Sequence, residues 1–172
     1  MMTVKQFADQ YQLWTTITAS VNAILDEPLA VDLLKQIAMI PVFKSRATRS
    51  LGMYISKAGQ PVCIRLQFAQ EAKMLQQTFL HEVAHACDHL TRKQSHHQYR
   101  RAHGPGWKNW ASMLGVEAKS TGRSEAVEAL HQQRLKRVAV CQKCGMEFHR
   151  VRRLNRNRSY LHKRCGGQLR TV

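Results

Sequence analysis

Two histidines four residues apart, with a glutamate directly after the first, form the segment of this chain best equipped for chemistry: His81-Glu82-Val83-Ala84-His85. Residues at i and i+4 share one face of a helix, so both imidazoles can reach a single ion. Two neutral imidazole nitrogens at ~2.0–2.1 Å suit Zn²⁺. Glu82 can reach a water on the open side of that ion. Zinc acidifies such a water, and the carboxylate takes its proton as it attacks a carbonyl. The bland alternative is a surface pair of histidines. Leu75, Phe79, Leu80, Val83, Ala84 and Ala86 argue against it, because they give the helix an opposite face to bury.

A catalytic zinc usually takes three protein ligands and keeps a position for water. His89 continues the i+4 series, but it lies eight residues past His81. That is ~12 Å along a helix axis, too far for the same ion; it reads as an exposed or supporting residue. His96 and His97 fall in a polar stretch without periodicity and are weaker candidates. His103 is better placed. It ends an eighteen-residue excursion from His85, and Gly104-Pro105-Gly106 can turn it back toward the helix. A plain loop histidine is its alternative reading.

A second constellation lies near the end of the chain. Cys141-Gln142-Lys143-Cys144-Gly145 has knuckle spacing, two thiolates followed by a glycine that permits the tight turn. With His162 and Cys165 the pattern becomes C-x2-C-x17-H-x2-C, a zinc-ribbon spacing in which one His replaces a thiol. Cys3His is an ordinary structural zinc set, closed to substrate. His149 is the alternative fourth ligand. Cys63 and Cys87 stand alone and read as small buried apolar residues.

The elements that must position these groups follow from periodicity and breakers. Val4, Phe7, Tyr11, Trp14, Ile17, Val21, Ile24 and Leu25 give one helical pattern over 4–25, closed by Asp26-Glu27-Pro28; a short helix follows over 29–38. Residues 42–46, 51–56 and 62–68 read as strands, and Lys57-Ala58-Gly59-Gln60 as the turn of a hairpin. A long helix over 71–90 carries the first histidines. Trp107–Leu114 is a shorter helix stopped by Gly115, and 123–137 is a connector helix with Ser124 as its cap. The sequence contains no internal repeat and no low-complexity tract.

Lys and Arg number 27 against 11 Asp and Glu, a formal net charge of +16, which favours a polyanionic partner. The excess is uneven. From Leu130 to Val172 twelve bases face one acid, Glu147 (+11); the first 129 residues carry fifteen bases and ten acids (+5). A domain boundary is therefore expected near Val138. Arg150, Arg152, Arg153, Arg156 and Arg158 fall between the two ligand pairs, where guanidinium forks can meet phosphate. Alternation of Arg150 and Arg152 with Val151 suggests a hairpin that projects them. Phe148 and Tyr160 can stack on bases, but filling a small core is the preferred reading. No apolar run reaches the ~18 residues of a membrane span, and the first residues lack a signal-peptide pattern, so a cytoplasmic protein is expected. Five Cys, an odd number in a reducing compartment, point to metal rather than disulfides.

The order of strand, hairpin, Phe79-Leu80-His81-Glu82-Val83-Ala84-His85, polar excursion, His103-Gly104-Pro105-Gly106-Trp107 and Leu114-Gly115 resembles the SprT-like family of zinc metallopeptidases over roughly residues 40–172. The resemblance implies an α+β fold: a zincin-like domain over 1–137, with N-terminal helices, a small antiparallel sheet, the histidine-bearing helix and the connector, then a β zinc ribbon over 138–172. It implies His103 as third ligand, Glu82 as catalytic base, and a structural place for Trp107 under the metal loop. Basic SprT-like proteins of bacteria end in a similar ribbon; His162 stands where their pattern carries Cys. Related eukaryotic Spartan proteins act on proteins crosslinked to DNA, which suggests by analogy a DNA-tethered protease.

The expected protein is thus a two-zinc endopeptidase for DNA-associated or DNA-crosslinked proteins. It would contact single- or double-stranded DNA through phosphates, without reading sequence, and needs no membrane. Two other classes compete: a non-catalytic nucleic-acid-binding protein whose first metal is structural, and a metallohydrolase for a small substrate. An intact Glu82 favours an enzyme; the basic tail favours a macromolecular partner.

Overall fold

The structure is a computed structural model that describes residues 2–92, 102–117 and 122–172. The chain divides into two compact units, Met1–Val127 and Glu128–Val172. No described helix is long and apolar enough to cross a membrane.

The first unit is mixed α and β. A two-residue strand β1 (Met2–Thr3) leads into α1 (Val4–Gln10), which opens with a capping box: Gln6 N–H donates to Thr3 Oγ1 (3.3 Å) and Thr3 N–H to Gln6 Oε1 (2.9 Å). The single helix expected over 4–25 is in fact two, α1 and α2 (Trp14–Ile24). Between them Gln12 takes φ 57°, Leu13 N–H bonds to Ala8 O (2.7 Å) and Gln12 N–H to Asp9 O (3.1 Å). That is the crossed hydrogen-bond pair of a Schellman ending. The apolar period runs unbroken across the stop, so it conceals it. α3 (Glu27–Ala38) has Pro28 in its first turn, where the missing N–H is no loss.

Strands β2 (Pro41–Lys44), β3 (Gly52–Lys57) and β4 (Gln60–Leu66) complete a four-stranded sheet of order β1-β2-β4-β3. The sheet is mixed, not antiparallel as expected: β2 pairs with β4 in parallel, Val42 opposite Ile64, while β1–β2 and β3–β4 are antiparallel. Residues 45–51 step over one strand position, about 10 Å, and the β3–β4 hairpin returns β4 into the gap. Its turn has positive φ at Ala58 (50°) and Gly59 (74°), the signature of a type I′ connection. β3 is left as an edge strand.

α4 (Ala72–Thr91) and α5 (Pro105–Met113) pack on this framework. Leu75, Phe79, Leu80, Val83, Ala84, Ala86 and Cys87 of α4 are buried in one core with Val4, Phe7, Ile17, Ile37, Ile64, Leu66, Trp107 and Leu114. Phe7 and Phe79 meet at 4.4 Å between centroids. Cys63 and Cys87 are buried free thiols, as expected of small apolar fillers.

The connector helix is α6 (Glu125–Arg134), begun by Ser124, whose Oγ accepts from Val127 N–H (3.2 Å). The division between the compact units falls inside it. The second unit holds a three-stranded antiparallel sheet, β5 (Lys136–Cys141) between β6 (Glu147–Arg150) and β7 (Leu169–Thr171). The expected hairpin of arginines is not formed: β6 ends at Arg150, and 151–160 is irregular chain.

Candidate metal centres

α4 places His81 and His85 one turn apart on the face away from the core, each half-buried. His103 enters from the segment preceding α5. Its Nε2 lies 3.2 Å from His81 Nε2 and 3.2 Å from His85 Nε2, and the three ligand atoms lie within 4.8 Å of one another. In a tetrahedron with zinc–nitrogen bonds of ~2.0–2.1 Å, nitrogens stand about 3.3 Å apart, so the spacing fits one such ion. Burial holds the rings neutral. His81 is pushed down to about 4 by desolvation and by His103; His85 is pushed down to about 3 by desolvation, then by His81, His103 and Arg92. Desolvation lowers His103 too. Neutral nitrogens are what a metal requires. His96 and His97 lie outside the described residues.

Trp107 is fully buried, and its ring meets all three imidazoles: His81 at 4.7 Å, His85 stacked at 5.3 Å and His103 edge-on at 4.4 Å. It is the floor of the cluster. Buried Asp88 on α4 pairs with Arg92, and the first turn of α5 runs so close to Asp88 that a side chain at Gly106 would collide with its carboxylate. Gly106 thus lets α5 approach α4 and bring His103 into place.

Glu82 is 6% exposed, and its Oε2 accepts a 2.7 Å hydrogen bond from Tyr54 N–H on β3. Desolvation pushes its carboxyl up to about 7, against the opposing pull of the Tyr54 amide. Such a carboxyl can both take and return a proton near neutral pH. Sequence reasoning missed this partner, because a backbone N–H belongs to every residue and carries no sequence signal. Gly52 did carry one. A glycine inside a strand pattern marks close approach of another group, and a Cβ there would lie 2.6 Å from Thr78 Cγ2 and 2.7 Å from Glu82 Oε1. His89 does not join the cluster; its Nδ1 is 2.7 Å from the Tyr54 hydroxyl.

In the second unit Cys141, Cys144, His162 and Cys165 form the other group able to hold a metal. Cys141 Sγ–Cys165 Sγ is 3.5 Å, Cys165 Sγ–Cys144 Sγ 3.6 Å, and His162 Nδ1 lies 3.2 and 3.1 Å from Cys144 and Cys165. The sulfur–sulfur edges are slightly shorter than the about 3.8 Å that zinc–thiolate bonds of ~2.3 Å give. The donor set fits zinc. Each Cys pair member that ends a knuckle is followed by a glycine of positive φ, Gly145 (71°) and Gly166 (70°), which lets the chain fold back over the sulfurs. His149 is exposed and faces Glu147 at 3.7 Å, so His162 closes this cluster. At Cys141 burial raises the thiol, but the amides of Cys144 and Lys143 and the neighbouring thiols outweigh it and bring it down to about 6; Cys144 is raised.

Arg150, Arg152, Arg153, Arg156 and Arg158 are all exposed. Arg137 holds Glu147 at 2.7 Å, and none of the five arginines has an acidic partner among the described residues. Phe148 and Tyr160 are half-buried, and Phe148 packs edge-on against His162 at 5.1 Å, as core residues would.

No curated protein and no solved structure matches this sequence. The pattern of the SprT-like family does, over residues 32–139, a stretch that takes in β2–β4, α4 with its two histidines, His103 and α5. Since that match covers well over half of the chain, this protein belongs to the SprT-like family.

Proposed function

We propose that the chain is a zinc-dependent endopeptidase acting on proteins associated with or crosslinked to DNA. The first unit would be a zincin-type peptidase domain and the second a zinc ribbon that holds nucleic acid. The observation that carries this reading is the pairing of three converging neutral imidazole nitrogens with a buried carboxylate at the next residue, Glu82. A structural metal has no need of that carboxylate, and burying it is costly.

His81, His85 and His103 would hold one zinc; Cys141, Cys144, His162 and Cys165 would hold a second. Zinc in the first site supplies Lewis acidity, acidifying a water and polarising a peptide carbonyl. Glu82 accepts the proton of the attacking water and delivers it to the departing amine. Tyr54 N–H keeps one carboxylate oxygen occupied, which leaves Oε1 for the proton. In the second unit the exposed arginines would contact phosphates without reading bases, and a substrate bound to the same strand would be presented at high local concentration.

The decisive assay compares cleavage of a DNA-bound basic protein, with and without DNA, by wild type and Glu82→Gln. Cleavage stimulated by DNA and lost in the variant supports the proposal. An inactive wild type with zinc in both sites would favour a binding protein.

A further inference from the structure

α4 and β3 meet at more points than the Glu82 carboxylate. Tyr54 reaches α4 twice, through its amide to Glu82 Oε2 (2.7 Å) and through its hydroxyl to His89 Nδ1 (2.7 Å). The two contacts are seven residues apart on α4, about 10 Å, so one residue spans two helical turns. The start of the strand is held as well. Leu51 O accepts from Gln70 Nε2 (3.0 Å) and from Gln67 N–H (2.8 Å), while Gln70 Oε1 accepts from Thr78 Oγ1 (2.7 Å). Gln70 and Thr78 are both buried. Between these anchors Gly52 lets the strand lie against Thr78 and Glu82.

We propose that Tyr54 and His89 are positioning residues: their side-chain contact fixes β3 on α4 and thereby fixes the amide that orients Glu82. Lateral hydrogen bonds do not hold β3 on this side, because it is the edge of its sheet. Without the hydroxyl anchor β3 keeps its ladder with β4 and its tie at Leu51, but Tyr54 loses its side-chain hold on α4. His89 is out of reach of the ion that His81, His85 and His103 would bind, so its part here is separable from metal binding. With the Tyr54 hydroxyl as donor, Nδ1 accepts and the imidazole proton sits on Nε2; burial favours the neutral form of both groups, lowering His89 and raising Tyr54. Asn in place of His89 would present an acceptor oxygen at nearly the same point as Nδ1.

The inference rests on the peptidase reading for its catalytic consequence, and not for the clamp itself, so the test has two arms on the full-length protein. In the first, proton–nitrogen spectra and amide exchange are recorded at residue 54 for wild type, Tyr54→Phe, His89→Ala, His89→Asn and Glu82→Gln, with metal content measured on each. The expected result is an amide proton far downfield in wild type that moves upfield in Glu82→Gln. In Tyr54→Phe and His89→Ala it moves the same way and exchanges about tenfold faster, with full zinc, and His89→Asn returns it toward wild type. A residue 54 amide with wild-type shift and exchange in both Tyr54→Phe and His89→Ala overturns the clamp. In the second arm, kcat should fall about tenfold in these two variants with KM within about twofold, since the loss is one of orientation rather than substrate binding, and His89→Asn should recover most of it. Unchanged kcat with a displaced amide overturns the catalytic consequence. An inactive wild type defeats the peptidase reading alone, and the amide arm still decides the clamp.

Discussion

The two candidate metal centres are built in opposite ways. The histidine cluster stands on a helix whose other face is sunk in a core of more than twenty apolar residues, with an indole as its floor. Its nitrogens converge because packing puts them there. The cysteine cluster belongs to a unit of residues 128–172 whose buried apolar side chains are Val138, Ala139 and Cys141. A unit of that size with so small a core does not hold itself together without a staple. In one region the fold itself brings the candidate ligands together; in the other a metal would hold the fold together.

Removing metal should therefore give the largest effect and the sharpest contrast. Structural zinc contributes on the order of 10–16 kcal/mol to small domains. With a strong chelator, residues 136–171 should lose their dispersed amide spectrum and become sensitive to protease, while the core of the first unit keeps its near-ultraviolet signal. A ribbon that stays folded without metal would erase the distinction.

Glu82→Gln comes next. It should retain both metals and lower peptide cleavage by about 10²–10⁴-fold, the range of a lost general base. The same variant reads the fold. The Glu82 carboxyl is raised to about 7, so the metal-free folded state holds a proton that the unfolded chain releases near pH 4.3. The carboxyl's burial is therefore without cost below about pH 4.3 and costs stability increasingly as pH rises through 7. Metal-free Glu82→Gln should melt several degrees above wild type at pH 8 and show little difference at pH 4, by calorimetry.

Proton competition separates the centres further. His81 and His85 are pushed down to about 4 and about 3, and His103 is lowered too, so binding at that site should displace few protons as pH nears 7, and almost none from His81 and His85 between pH 5 and 7. In the metal-free protein the same shifts cost stability as pH falls below about 6.5, where the unfolded chain takes up protons that the fold refuses. The ribbon must shed thiol protons to bind. Its zinc affinity should therefore rise more steeply with pH over this window than affinity at the histidines. Equal slopes in competition titrations would mean that the imidazoles are open to protonation.

The smallest effect concerns the arginines. Replacing Arg150, Arg152 and Arg153 together should weaken binding to duplex DNA and lower its salt slope by up to about three units, without changing cleavage of a free peptide. A salt titration that superposes on wild type would put the nucleic-acid surface elsewhere.

The parts of the site legible in the sequence are those whose geometry is local. A helix fixes His81 against His85, and knuckle spacing fixes Cys141 against Cys144. His103 could be nominated because a Gly-Pro-Gly breaker follows it. What escaped depends on which strands become neighbours. Nothing in 42–68 reveals that β4 enters between β2 and β3, yet that insertion puts β3 at the edge, where its Tyr54 amide is free for Glu82. The break between α1 and α2 escaped for another reason: Gln12 adopts the conformation usually signalled by Gly or Asn. The arginine stretch had strand-like alternation, but the pairing strand it needed is not there.

Trp107 gives the molecule an optical voice. Positive charge arriving on an imidazole in contact with an indole, as a proton or through a metal, polarises the ring and alters its emission. All three tryptophans, Trp14, Trp107 and Trp110, lie in the first unit, and Trp107 is the one in ring contact with the histidine cluster. The ribbon has none. Filling of the histidine site should thus be visible in native fluorescence while filling of the cysteine site passes in darkness, so that a single unlabelled sample reports which of its two centres a metal has entered.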